Sequence, residues 1–203
     1  MSFFKPIQES IKQNKALLVS ILGLSLLFVI GQWFQSNLFF NRNDINQGQW
    51  WKILSGNFTH SNIPHLLLNL SGVWLLGMLF IDSLSSKTFI LSSVLLTVVV
   101  GLGLYFFNPE LSGYYGFSGV LYGLYFVAAV CAILDDDLFT GISVALIISA
   151  KIIWDYFTGG SQASAEMIGV PVANDAHLYG FIGAIVIAGF LLFKGYLKKR
   201  HTF

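Results

Sequence analysis

The sequence predicts an all-α integral membrane protein, a bundle of about six transmembrane helices. Three observations carry that prediction. The chain of 203 residues is 55% hydrophobic and only 10% charged, where soluble domains carry about 25% charged residues. Its mean hydropathy is +0.71. Apolar runs close to the ~20 residues that a bilayer crossing needs recur along the whole length, separated by short polar stretches. The net charge of +1 leaves no basic face for nucleic acid, so none is expected as a partner. Cys131 is the single cysteine, which excludes an internal disulfide and a thiolate metal cluster. Among Val130, Ala132 and Ile133 it reads as a packed, inert thiol.

The elements follow in order. Residues 1–15 are polar, with Lys5, Lys12 and Lys15, and form an N-terminal segment. Ala16 to about Phe34 is the first span, long enough to be an uncleaved helix rather than a signal peptide. A polar loop follows with Arg42, Asp44 and Gly48-Gln49-Trp50-Trp51-Lys52; adjacent tryptophans suit a membrane interface. Ile63–Ile81 is the second span, Thr88–Phe107 the third and about Tyr114–Leu134 the fourth, ended by Asp135-Asp136-Asp137. Leu138 to about Trp154 is the fifth, with Lys151 placed to snorkel. Residues 155–175, rich in Gly, Ser, Ala and Asn, read as a loop, and Ala176 to about Phe193 is the sixth span. No internal repeat or second domain is evident: residues 16–193 form the membrane domain and 194–203 a basic tail.

Lysine and arginine near span ends set orientation. Both ends of the chain are basic, through Lys5, Lys12 and Lys15 at one and Lys194, Lys198, Lys199 and Arg200 at the other. Both termini are therefore expected in the cytoplasm, which requires an even number of spans. The second, fourth and sixth spans then all begin on the outer side. Their first turns carry the intramembrane polar residues: His65 and Asn69, Ser118, and His177. Topology thus predicts one depth for residues far apart in sequence. Each also lies near a helix N-terminus, where unpaired N–H groups and the dipole favour developing negative charge.

Acyl transfer needs a nucleophilic hydroxyl, an imidazole to take its proton and donors for the oxyanion. Ser118, His177 and the His65/Asn69 pair can fill those roles. His65 and Asn69 are four apart and share a helix face; Tyr122, four after Ser118, is placed to pack on an incoming imidazole. Gly180 and Gly183 leave a small-residue surface on the sixth span, with Gly119 and Gly123 as its match on the fourth. Gly116 and Gly119 flank Ser118 and permit close approach of another backbone.

Gly116-Phe117-Ser118-Gly119, Ala176-His177 followed by Gly180, and His65-Leu66-Leu67-Leu68-Asn69 together resemble the rhomboid family of intramembrane serine proteases. Gly48-Gln49-Trp50-Trp51-Lys52 is similar to that family's first-loop Trp-Arg motif, and Asn57-Phe58-Thr59-His60 to the stretch before its second helix. The resemblance covers roughly residues 45–190. It implies a six-transmembrane-helix rhomboid-like bundle, with Ser118 as nucleophile and His177 as base in a dyad without an acid. It also implies an oxyanion hole of His65, Asn69 and the Ser118 N–H, with Tyr122 stacked on His177. No cofactor or metal is implied; the partners would be single-span membrane protein substrates within the lipid bilayer. Lys52 stands where the family usually has arginine, so a bidentate fork is lost there. The compact form, Ala176-His177-Leu178-Tyr179-Gly180 and Lys151-Ile152-Ile153-Trp154 resemble the rhombosortase subgroup. That subgroup is associated with bacterial proteins whose C-terminal tail holds Gly-Gly, one span and basic residues. A bacterial inner membrane is the location this implies.

Other readings stand beside these. A rhomboid-like pseudoprotease, serving as a client-binding membrane chaperone, would use the same fold; retention of both Ser118 and His177 argues against it. A small-solute channel lacks an inverted repeat to support it. A zinc site of His60, His65 and His177 is the rival chemistry, but the His60–His65 spacing is not the i, i+4 of a helical zinc motif. His60 reads as an interfacial histidine bonding the first loop. Asp175 is expected to cap the sixth helix, with Asn174 as the competing cap. Asp135–Asp137 read as a solvated turn, and Asp155 and Glu166 as solvent-facing loop residues. Tyr114-Tyr115 suit either an interfacial belt or a substrate-facing loop, and 159–164 either a mobile cover or a linker.

Overall fold

The computed structural model describes residues 14–200; Lys5, Lys12 and His201 lie outside the described residues. The chain is predominantly helical. Helix α1 (Lys15–Trp33) leads into short helices α2 (Gln35–Leu38), α3 (Arg42–Asn46) and α4 (Lys52–Ser55) and a 3-10 turn at Gly56–Phe58. The longer helices α5 (Ile63–Leu79), α6 (Ser86–Phe107), α7 (Ser118–Leu134) and α8 (Leu138–Thr158) follow. The short α9 (Gln162–Ile168) and the long α10 (Asn174–Arg200) complete the chain. Strands β1 (Phe40–Asn41) and β2 (Gly113–Tyr114) pair antiparallel, Phe40 opposite Tyr114.

Among the described residues four helices, α1, α6, α8 and α10, are long and apolar enough to cross a membrane. Helix α5 meets that test only joined to the segment Lys52–Phe58, from which it is bent by 82°. Helix α7 is apolar but spans only 17 residues, about 26 Å at 1.5 Å per residue, short of a ~30 Å hydrocarbon core. The expected fourth span therefore starts later than Tyr114, because Tyr114 is spent on the strand pair. Large apolar side chains such as Leu26, Leu75, Leu95, Leu146 and Val186 point outward from the surrounding helices. They form the belt that a bilayer covers in an integral, multi-pass membrane protein.

Helix α7 sits at the centre and is packed nearly all round, burying Val120, Leu124, Val127, Ala128 and Ala132 among others. Its principal neighbour is α10. Without a hydrophobic drive between helices in lipid, close packing of small residues has to supply the attraction. Ala176, Gly180, Ala184 and Ala188 are all buried and recur every fourth residue, giving α10 a smooth seam. A Cβ on Gly119 would lie 2.7 Å from the Ala176 carbonyl oxygen, and one on Gly123 2.5 Å from that of Gly180. Gly183 departs from the expected match: its neighbours are Leu96 and Val99 of α6. Three residues past Gly180 is about 300° of rotation, enough to turn it off the α7 face.

Caps fix where the helices begin. The Asn62 side chain accepts the His65 N–H at 2.8 Å, with Pro64 in the first turn of α5. Asp137 caps α8 through the Thr140 N–H, so this member of the aspartate turn has a structural duty. The sixth helix differs from expectation at both ends. Asp175 lies inside its first turn and accepts a hydrogen bond from Asn108 Nδ2 at 2.6 Å instead of capping. At the far end the helix continues past Phe193 to Arg200.

The first loop is anchored by a residue the sequence reading left without a role. Arg42 donates to the carbonyls of Leu104, Tyr105, Asn108 and Leu111, at 2.8–3.0 Å. Those are orphan acceptors at and just beyond the C-terminus of α6, and the guanidinium also lies 5.1 Å from the Tyr105 ring centre. Lys52 is buried and pairs with Asp44 at 2.6 Å. Replacing Arg42 with Ala is expected to destabilise the fold by about 3 kcal/mol, read as a lowered unfolding midpoint in detergent. Arg42→Lys recovers only part of this, since a lysine cannot serve four carbonyls.

Candidate active site

The N-terminal ends of α5, α7 and α10 converge. Ser118 is the first residue of α7, and its Oγ lies 2.9 Å from His177 Nε2 in the first turn of α10. The Tyr122 ring stacks on the imidazole, centres 4.3 Å apart and planes 13° from parallel. This fixes the ring plane, so Nε2 stays directed at the hydroxyl. His177 is 5% exposed, and its Nδ1 finds no hydrogen-bond partner among the described residues.

The turn before Ser118 is held open by geometry that only glycine accepts. Gly116 has φ +110°, and a Cβ there would stand 2.5 Å from His65 Nε2. Its carbonyl accepts from the Tyr114 hydroxyl at 2.6 Å. Tyr114 is buried and burial pushes its phenol up from the ordinary value, which keeps it a donor. That settles one open point: Tyr114 is a buried brace of the turn, while Tyr115 stacks on Phe39 with centres 5.0 Å apart. Phe117 provides no side-chain cap for α7.

His65 comes to the same place from α5. Its Nδ1 lies 3.0 Å from Ser61 Oγ, which leaves Nε2 toward Gly116 and the cavity. Asn69 sits one turn deeper, 3% exposed, and gives one amide N–H to the His65 carbonyl at 3.1 Å. The second N–H of that amide remains available as a donor. A cavity of about 840 Å³ opens above Ser118, lined by Phe39, His65, Asn108, Tyr115 and Asp155 among others. That size suits an extended segment of chain.

Several expected placements change. His60 is not an interfacial side chain: it is fully buried, its ring set edge-on to Phe28 and to His65, and only its backbone carbonyl bonds the loop, through Gln35. Among the described residues no three His, Cys, Asp or Glu side chains stand close enough to share a metal ion. The stretch 155–175 is largely ordered, with α9 tied over the start of α5. There Ser61 Oγ donates to the Ile168 carbonyl at 2.6 Å and Asn62 Nδ2 to that of Met167 at 3.1 Å. Asp155 is on α8, not in a loop, and is 3% exposed; it pairs with Lys151 one turn before it. Glu166 is exposed, but it lies on α9 and not in a loop.

Sequence reasoning missed Asn108, read the buried Asp155 as solvent-facing and left Tyr114 between two exposed roles, neither of which it takes. For Asp155 the signal was present in the i, i+4 spacing to Lys151 within an apolar helix. Asn108 bridges Asp175 and the Tyr179 hydroxyl, a link that no local pattern announces.

No curated protein matches the sequence. The family model for the Rhomboid domain matches residues 47–194, a stretch that holds His65, Ser118 and His177. The chain belongs to the rhomboid family, whose members are typically intramembrane serine proteases.

Proposed function

We propose that the protein is an intramembrane serine endopeptidase that cleaves membrane-anchored substrates near the outer leaflet. The observation that carries this is the 2.9 Å approach of Ser118 Oγ to His177 Nε2, at the floor of a cavity wide enough for a peptide segment. In this mechanism His177 Nε2 takes the hydroxyl proton as Ser118 attacks the scissile carbonyl. With the Ser61 hydroxyl turned to donate to His65 Nδ1, the ring carries its proton on Nε2; that N–H, Asn69 and the Ser118 N–H at the start of α7 receive the oxyanion, and Tyr122 holds the imidazole plane. His177 then delivers its proton to the leaving amine, and a water activated by the same imidazole releases the acyl-enzyme.

The reading counts α5 with its bent lead-in and the short α7 as spans beside the four long helices, six in all. With basic residues at both ends, both termini lie in the cytoplasm. Among substrates it assigns tails of the Gly-Gly, single-span, basic type, from the motifs shared with the rhombosortase subgroup and the bacterial inner membrane that goes with it. Glycine weakens helices, which makes a carbonyl in such a tail reachable.

The test is cleavage in liposomes of two model single-span substrates, one with a Gly-Gly tail and one with an unrelated anchor. Cleavage of the first alone supports the full reading. Equal cleavage of both supports the protease and removes the Gly-Gly assignment. Tight binding of both without cleavage replaces the protease with a client-binding pseudoprotease.

A further inference from the structure

Helix α8 faces outward along most of its length and buries only Gly141, Ile152 and Asp155. Trp154 and Tyr156, on either side of Asp155, are 66% and 68% exposed. Asp155 is thus the single buried polar side chain of this helix. A buried ionisable side chain in a membrane segment is costly and is rarely kept without function. The Lys151 ammonium pairs with it and also faces the Tyr122 hydroxyl. Asp155 lines the large cavity together with Ser118 and His65. It also shares a second cavity of about 10 Å³ with His177, Asn174 and Asp175, at the lower edge of the space one water molecule needs.

The other half of the argument lies on His177. With Nε2 directed at the Ser118 hydroxyl as acceptor, the proton of the neutral ring sits on Nδ1. That N–H is buried and unpartnered among the described residues, a costly arrangement unless a partner satisfies it. The titratable groups facing the imidazole are Asp155 and Lys151 from α8, His65 from α5 and the stacked Tyr122 from α7, and Asp155 is the one carboxylate among them. We propose that Asp155 is a positioning residue for the dyad: through one water in the small cavity it accepts the Nδ1–H side of His177, fixing the tautomer and supporting the imidazolium. Lys151 holds the carboxylate in place. This rests on the serine-protease reading above and replaces its dyad-without-acid with a dyad steadied by an acid on a neighbouring helix.

The experiment measures kcat and KM in liposomes for a single-span Gly-Gly substrate. It compares wild type, Asp155→Asn, Asp155→Glu, the double variant Lys151→Gln/Asp155→Asn, and Ser118→Ala. Asp155→Asn is expected to lower kcat about ten- to hundredfold, the scale of a misplaced catalytic group, with KM within about twofold, and Asp155→Glu to restore most of the loss. The double variant leaves no unpaired buried charge, so it retains the fold and is expected to show the same fall in kcat. A kcat near wild type in Asp155→Asn or in the double variant overturns the proposal, as does a loss confined to KM or one that glutamate does not rescue. Cleavage surviving Ser118→Ala would instead overturn the serine mechanism itself, so the two failures are distinguishable.

Discussion

Replacing Ser118 by alanine is expected to reduce cleavage by about 10⁴-fold or more, and His177→Ala to cost about as much. In the proposed mechanism the two side chains, in contact at 2.9 Å, act as one unit: without the imidazole the hydroxyl keeps its proton, and without the hydroxyl the imidazole has nothing to activate. The double variant should therefore be no worse than either single one, a non-additivity that marks a shared step. Single-turnover cleavage in liposomes measures this, with thermal unfolding to confirm that each variant folds. Labelling by a serine-directed fluorophosphonate should vanish in Ser118→Ala and slow sharply in His177→Ala. Full labelling of His177→Ala would mean that another group activates the serine. Equal cleavage by wild type and Ser118→Ala would exclude the serine as nucleophile.

That pair was legible in the sequence for a physical reason. A membrane restricts chain direction, so counting spans places residues at common depths without knowledge of their packing. Ser118 and His177, 59 positions apart, could be brought together by parity of crossings alone. What parity does not supply is rotation about each helix axis. The sequence reading ended the fifth helix at Trp154 because Gly159-Gly160 and the serines after them resemble a loop. The helix in fact runs to Thr158, stopped by Gly159 in the left-handed conformation at φ +79°. That added turn puts Asp155 on a helix with a definite inward face. The same limit explains Gly183, read onto the α7 face when it is rotated off it. It also explains why the seam of Ala176, Gly180, Ala184 and Ala188 went unread.

Other misses arise from contacts that no local pattern encodes. Arg42 finds its carbonyls 62 to 69 positions away, so its anchoring role depends on how the first loop folds over α6. Lys52, which occupies the motif position, turned instead to Asp44 only eight residues back. Helix α9 is a different case. Ser161 at its start, accepting the Ser164 N–H at 3.2 Å, and Gly169 just past its end are ordinary cap signals. They were outweighed by the low bulk of the surrounding stretch.

Gly180→Ala is expected to have the second-largest effect, through a single methyl group on the seam between α10 and α7. A Cβ at Gly180 would overlap the backbone carbonyl of Gly119, the residue after Ser118. Neither backbone can step aside as a side chain would, so α10 must move away from α7. His177 lies one turn before Gly180 and moves with it, opening the contact to Ser118. A displacement near 1 Å at such a contact costs about 100-fold in rate. The expected signature is a fall in kcat of that order with a lowered unfolding midpoint. Gly189→Ala provides the control: it lies on the same helix, and nothing stands within 4 Å of a Cβ there. Alanine in that position should leave activity unchanged and favour the helix by up to about 1 kcal/mol. If Gly180→Ala keeps wild-type kcat while Gly189→Ala behaves as expected, the backbone seam does not set the Ser118–His177 distance. The stacking of Tyr122 on the imidazole would then be what holds it.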